Sequence, residues 1–80
     1  MKEEIFQKVK EFIAGNNHIP AEEITLDSSF EELNMDSLDG ITLINDLENH
    51  YKIILTNEEA TGIKTVREAV EALDQKLAQQ

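Results

Sequence analysis

The chain has 80 residues, no cysteine and a formal net charge of −10 at pH 7. This length indicates one small domain covering residues 1–80. The missing cysteine excludes disulfides, thiol nucleophiles and thiolate metal sites, and two histidines alone do not make a structural zinc site, so we expect no metal. The N-terminus lacks a signal-peptide core and every apolar run is too short to span a bilayer, which predicts a cytoplasmic protein without membrane insertion.

The net negative charge lies in one segment of the chain. Outside it, seven acids face seven basic residues and cancel; inside it, from Glu11 to Tyr51, there is no Lys or Arg. Such a segment repels nucleic acid and favours protein partners with basic surfaces, although solubility is the simpler explanation. Its ten acids are Glu11, Glu22, Glu23, Asp27, Glu31, Glu32, Asp36, Asp39, Asp46 and Glu48.

The spacing of apolar residues predicts an all-α fold, a small bundle of three main helices plus one short helix. Thr56 with Glu59, and Thr65 with Glu68, have the spacing of capping boxes at the start of the third and last helices. The predicted first helix covers about residues 2–14 and is stopped by Gly15-Asn16-Asn17. The second begins at Asp36 or Ser37 and ends near Tyr51, the third covers 56–61, and the last begins at Thr65.

A long loop separates the first and second helices, from His18 to Met35. Apolar residues are spaced through it, which predicts that it is pinned to the core, and Ser29 with Glu32 predicts a short helical turn. On the second helix we predict an inward stripe with Leu43 on its flank and a destabilising glycine, Gly40. The predicted loop anchors are Ile24, Leu26, Phe30 and Leu33; the predicted stripe is Leu38, Ile41, Ile44, Leu47 and Tyr51.

Ser37 stands between two aspartates at the predicted start of the second helix. It lacks the G-x-S-x-G turn of a hydrolase, and His50 lies about 20 Å further along the same helix, beyond proton-transfer reach. Nothing in the sequence places His18 nearby. An EF-hand calcium loop with Gly40 at its glycine position would begin with Met35, which is not a ligand for a hard cation. The residues alone leave Ser37 as a helix cap or an unidentified site.

The stretches "EEITLDSSFEELNMDSLDGITLINDLENHY" and "NEEATGIKTVREAVEAL" resemble the acyl carrier protein family over nearly the whole chain. The resemblance implies a carrier, not an enzyme, with 4′-phosphopantetheine attached to Ser37 of the triplet Asp36-Ser37-Leu38. A separate phosphopantetheinyl transferase would add the group from coenzyme A. Acyl-transfer and synthase enzymes with basic docking surfaces would then read the acyl thioester, and we expect the carrier to be a monomer.

The resemblance also implies two further sets of residues. A docking surface on the second helix would include Asp39, Ile41, Asp46 and Glu48. The family shelters the acyl chain between its helices, and the corresponding pocket here would be lined by Ile41, Leu47, Leu55, Ile63 and Ala69, although ordinary core packing explains each of these residues equally well.

Several residues depart from the pattern common in fatty-acid carriers, and most lie on or beside the presumed docking helix. They leave a specialised carrier, serving polyketide or lipid-modifying enzymes, as plausible as the housekeeping carrier of fatty-acid biosynthesis. Two alternatives also stay open: an aminoacyl or peptidyl carrier, and an acidic helical adaptor without a prosthetic group. The departures are Gly40, Thr42, Asn45, His50, Lys52, Ile54 and Thr56.

Overall fold

The computed structural model describes residues 2–79, and its regular elements are helical. Ser29 and Thr65 form an isolated antiparallel β-bridge outside the helices. The predicted all-α class, with three main helices and a short one, is therefore confirmed. The helices are α1 (Lys2–Asn17), α2 (Ser37–Tyr51), α3 (Asn57–Thr61) and α4 (Val66–Ala78), with a single 3₁₀ turn at Ala21–Glu23.

The helix boundaries follow local hydrogen bonds. The two predicted capping boxes are confirmed, because Thr56 and Thr65 each accept a hydrogen bond from the backbone N–H of the glutamate three residues later. The predicted end of α1 at Ala14 is three residues too early, although the helix does end within the predicted stop triplet, at Asn17. Gly15 does not stop the helix, which continues to Asn17 and ends where His18 takes a left-handed backbone (φ 57°). A glycine lowers helix propensity but does not remove a hydrogen bond, so it is not a stop by itself.

The core forms where α1 packs against α4 and against α2. Leu43 and Leu47 of α2 are 1% and 0% exposed, whereas Leu38 and Ile41 are 69% and 57% exposed. The predicted inward stripe of α2 was therefore wrong at Leu38 and Ile41. At about 100° per residue, Ile41 lies about 160° from Leu43 around the helix, so the two cannot share one face. The other buried core side chains include Ile5, Val9, Ile13, Val66, Val70 and Leu73.

The loop between α1 and α2 is anchored as predicted. Ile24 is buried, and Leu26, Phe30 and Leu33 pack partly against the core. Its backbone also pairs with the start of α4, where the N–H groups of Val66 and Arg67 donate to the carbonyls of Ser28 and Leu26 at 3.0 Å. The Arg67 guanidinium contacts Asp27 at 2.8 Å. These contacts attach residues 26–28 of the loop to the start of α4.

The predicted helical turn at residues 29–33 is a hydrogen-bonded turn instead of a helix. Ser29 and Glu32 exchange the two expected capping bonds, at 3.0 and 3.2 Å. The turn stops after one round because Asn34 adopts φ 61° and the Met35 N–H reaches back to the Phe30 carbonyl. Within residues 2–79, no helix combines the length and the apolar character needed to cross a membrane.

Candidate functional site

Ser37 is the first residue of α2 and is exposed. The turn around it is held by its neighbours: the Asp36 carboxylate accepts from the Asp39 N–H at 2.9 Å, and the Asp39 carboxylate accepts from the Asp36 N–H at 3.2 Å. These bonds leave the Ser37 hydroxyl without a hydrogen-bond partner among the described residues. The serine is thus exposed to solvent on a helix start that the capping box holds in place.

The start of α2 suits a covalently attached phosphate. The first intrahelical bond runs from the Gly40 N–H to the Asp36 carbonyl, so the N–H groups of Ser37 and Leu38 have no acceptor within the helix. Free first-turn N–H groups and the positive end of the helix dipole favour an anion beside Ser37, typically by about 0.3–1 kcal/mol. Asp36 and Asp39 oppose this gain by repulsion. The residues present therefore fit a phosphodiester on the Ser37 hydroxyl.

A cleft of about 640 Å³ opens beside Ser37, between α2, α3 and the 29–35 turn. Its volume falls within the range of about 300–1,000 Å³ that is usual for small-molecule sites. Along α2 the lining runs from Ser37, which follows Asp36, to Glu48, whose carboxylate holds the Leu55 N–H. The Ser37 end is called the mouth of the cleft. The wall is mixed in chemistry: Phe30, Met35, Ile41, Ile44, Leu55, Ala60 and Ile63 are apolar, while Ser29, Glu31, Asn45, Glu48, Asn57, Thr61 and Lys64 are polar or charged.

One face of α2 supplies a whole wall of this cleft. Its lining residues recur at the spacing of successive helical turns, so they form one stripe that starts at Ser37. This stripe is rotated about 110° from the face carrying Leu43 and Leu47, which is buried in the core. The helix therefore has two apolar faces, one for the core and one for the cleft. The cleft stripe consists of Ser37, Gly40, Ile41, Ile44, Asn45 and Glu48.

The predicted acyl-pocket residues separate into two groups. Ile41, Leu55 and Ile63 line the cleft. Leu47 and Ala69 do not line it, because both are 0% exposed in the core. The cleft residues that sequence reasoning missed include Phe30, Met35 and Ala60. Helical spacing from Ser37 would have found those on α2, but no local pattern relates α2 to α3 or to the 29–35 turn.

The predicted docking residues are not all free. The half-buried Glu48 accepts a hydrogen bond from the Leu55 N–H at 2.8 Å, which folds the 52–56 linker back onto α2. The Asp46 carboxylate accepts from the Asn16 side chain at 2.8 Å and joins α2 to the end of α1. Asp39 caps α2. Among the predicted docking residues, Ile41 is the one whose side chain is largely exposed without a bond to hold it.

The His50 imidazole lies far from Ser37 along α2. His50 packs edge-on against Phe12 and Tyr51 at the far end of α2, with ring centroids 5.8 and 4.8 Å apart. No group of three or more His, Asp or Glu side chains is arranged to hold a metal ion within the described 2–79 range. Within residues 2–79, the features at the start of α2 are thus an exposed serine and the cleft beside it.

Comparison with known proteins defines the class. A family model described as a phosphopantetheine attachment site matches residues 7–73. The match covers most of the chain and identifies a carrier domain for this prosthetic group. The match, together with the relatives below, implies covalently attached 4′-phosphopantetheine and weighs against an adaptor that lacks it.

Relatives named acyl carrier protein are similar over almost the whole chain. The protein from Petrotoga mobilis is 40% identical over 77 residues, covering 95% of this chain and 91% of the relative. That from Thermosynechococcus vestitus is 37% identical over 76 residues, covering 94% of each chain. That from Rubrobacter xylanophilus is 42% identical over 71 residues, covering 88% of each. The chain therefore belongs to the acyl carrier protein family, whose members carry acyl groups and are not enzymes.

Solved structures support the fold. The acyl carrier protein of Thermotoga maritima superposes with a TM-score of 0.88 at 23% identity, over 98% of this chain and 92% of the other. The acyl carrier protein of Enterococcus faecalis gives a TM-score of 0.77 at 29% identity, over 95% and 98%. The resemblance inferred from the sequence, and the carrier role that it implies, are confirmed.

Proposed function

We propose that Ser37 is the attachment site, and that the acyl thioester on its 4′-phosphopantetheine arm is delivered to acyl-transfer and synthase enzymes. The observation that carries this assignment is the exposed Ser37 hydroxyl at the first residue of α2, beside the mouth of the cleft. The prosthetic group supplies the thiol that holds the cargo. The chain's own residues present the hydroxyl, shape the turn that a transferase must recognise, and shelter the cargo.

Mass spectrometry tests the attachment site. The purified chain is incubated with coenzyme A, magnesium and a broad-specificity phosphopantetheinyl transferase, and we expect the mass of one phosphopantetheine to be added. Ser37→Ala should abolish the addition. Ser28→Ala is the matched control, because Ser28 is a second serine in a turn, away from the cleft, and should leave the addition intact. Modification of the Ser37→Ala chain at the native rate would overturn the assignment.

The cleft is proposed to shelter the acyl chain. Ile41, Ile44, Leu55 and Ile63 provide apolar surface on both of its walls, and the stripe on α2 leads from Ser37 toward them. Burying the alkyl part of the cargo there would release roughly 0.8 kcal/mol per buried CH₂ group. An octanoyl-loaded chain should therefore melt at a higher temperature than the chain carrying phosphopantetheine alone. An unchanged melting temperature would contradict shelter in the cleft.

The docking surface is proposed to combine negative charge with exposed apolar side chains next to Ser37. Leu38 and Ile41 are 69% and 57% exposed, and Asp36 and Asp39 flank them. Partners with basic residues around an apolar depression would match this surface. Binding would weaken in salt, which suits a carrier that must dissociate after each transfer. We propose that the carrier acts as a cytoplasmic monomer.

Kinetics of modification test this surface. Leu38→Ala and Ile41→Ala should each slow phosphopantetheine transfer while the fold is retained. Ile54→Ala is the control, because Ile54 is 82% exposed but follows the opposite end of α2. Equal rates for all three variants would show that the partner does not dock beside Ser37. The native rate should also fall as sodium chloride is added.

A further inference from the structure

Gly40 is a glycine for which the usual structural reasons are missing. Its φ is not positive, so the backbone does not require glycine there. Its N–H makes an ordinary helical bond to the Asp36 carbonyl at 3.1 Å. A Cβ built on it would meet nothing within 4 Å, so no neighbour needs the space either. An interior glycine makes a helix less stable than alanine would, and no feature of the local backbone or packing here requires glycine.

The space beside Gly40 borders the cleft. Gly40 lines the cleft, one turn after Ser37, and is half-buried, so a side chain at this position would lie at the cleft wall. The two other glycines differ. Gly15 also has open space, but it is exposed on α1 and does not line the cleft. A Cβ on Gly62 would lie 3.4 Å from the Glu58 carbonyl at the end of α3.

We infer that Gly40 sets the width of the cleft mouth and so determines which acyl groups can pass from the Ser37 arm into the shelter. This inference rests on the proposed function, because it needs Ser37 as the tether. In the cleft stripe beyond Ser37, every residue except Gly40 has a side chain of four or more heavy atoms, so Gly40 leaves a gap in that wall of the cleft. Gly40 and Ile41 are the stripe residues one turn beyond Ser37, ahead of Ile44 and Asn45, so this gap lies next to the tether.

A side chain at position 40 would narrow the mouth in proportion to its size. Alanine would add one methyl group in open space, and valine and leucine would fill more of it. The cleft could then still exist below the mouth but admit cargo poorly. The stability of the empty protein and the shelter of the cargo would therefore change in opposite directions, which a purely structural role of Gly40 would not produce.

The experiment uses the series Gly40→Ala, Gly40→Val and Gly40→Leu, each loaded at Ser37 with octanoyl-phosphopantetheine. The measured quantity is the rate at which hydroxylamine cleaves the thioester, together with the rise in melting temperature caused by the cargo. We expect the cleavage rate to increase stepwise along the series, several-fold for leucine, and the cargo-induced rise to shrink. The unloaded variants should melt at or above the native temperature.

Gly15→Ala and Gly15→Leu are the matched controls, because they also fill open space in a helix but lie outside the cleft. They should leave the cleavage rate unchanged. A native cleavage rate in Gly40→Leu would overturn the inference, as would a native thioester cleaved as fast as a free octanoyl thioester. Mass spectrometry of the native chain distinguishes failure of this inference from failure of the proposed attachment. If the attachment fails, the native chain gains no phosphopantetheine mass.

Discussion

Asp36 and Asp39 hold each other's backbone at the start of α2. Each carboxylate accepts a hydrogen bond from the other residue's N–H, at 2.9 and 3.2 Å. Two acids three residues apart therefore act as a capping box, a role more often shared by a hydroxyl and a glutamate. Because Ser37 lies between them, the bonds that begin the helix also fix the position of the proposed attachment site.

Two substitutions at Asp36 can distinguish the contribution of its capping hydrogen bond from that of its negative charge. Asp36→Ala removes the side-chain acceptor and should lower the free energy of unfolding by about 0.5–2 kcal/mol. Asp36→Asn keeps an acceptor and should preserve stability to within a few tenths of a kcal/mol, since asparagine caps about as well as aspartate. Urea denaturation measures both. Equal losses in the two variants would show that charge, not the hydrogen bond, stabilises the turn.

The two faces of α2 should respond differently to truncation. Leu43→Ala empties a core position that is 1% exposed and should cost about 2–5 kcal/mol, a large part of the stability of a small domain. Ile41→Ala truncates a side chain that is 57% exposed and should change stability by roughly 0.5 kcal/mol or less. Comparable losses in denaturation experiments would contradict the assignment of Ile41 to the cleft rim and docking surface.

Glu59 connects the short helix α3 to the rest of the fold. Its carboxylate accepts from the Thr56 N–H at 2.9 Å and contacts Lys76 of α4 at 3.1 Å. The Thr56 backbone bond, followed by the bond to Lys76, lowers the pKa of Glu59 below its ordinary value. Because the pKa is lower in the folded state, the stabilisation is present above the ordinary glutamate pKa and is lost as the pH falls through the lowered one.

Two variants test this pH dependence. Glu59→Gln should be less stable than the native chain at neutral pH, and the difference should vanish on acidification through the Glu59 titration. Lys76→Met should raise the Glu59 pKa only partly, since the Thr56 bond remains. Carbon NMR of the Glu59 carboxylate follows the titration directly. A difference that persisted at low pH would assign the effect to packing instead of ionisation.

Repulsion among acids should make stability depend on salt. Two of the ten acids in the acidic segment form ion pairs: Glu11 with Lys8, and Asp27 with Arg67. The other eight have no ion-pair partner within the described residues. Added sodium chloride or magnesium screens this repulsion and should raise the melting temperature. Glu22→Gln removes one exposed acid and should reduce the salt dependence. A flat or falling melting temperature across the titration would contradict the repulsion.

The local features of the fold were predictable from the sequence, whereas the packing of α2 was not. The capping boxes at Thr56 and Thr65 and the start of α2 depend on residues three positions apart, so sequence spacing reveals them. The inward stripe of α2 was assigned as a single face. The apolar residues of α2 cover two faces, and a hydrophobic pattern cannot say which one meets α1 and which borders the cleft.

Residue identity and short-range spacing were enough to assign the helices, the acidic segment and the family. The three-dimensional structure was needed to show which side of α2 is buried, that the Glu48 carboxylate holds the Leu55 N–H, and that Gly40 borders open space. The physical reason is that these properties arise from how α1, α3 and the 29–35 turn are placed around α2. Their placement depends on contacts between residues far apart in the chain.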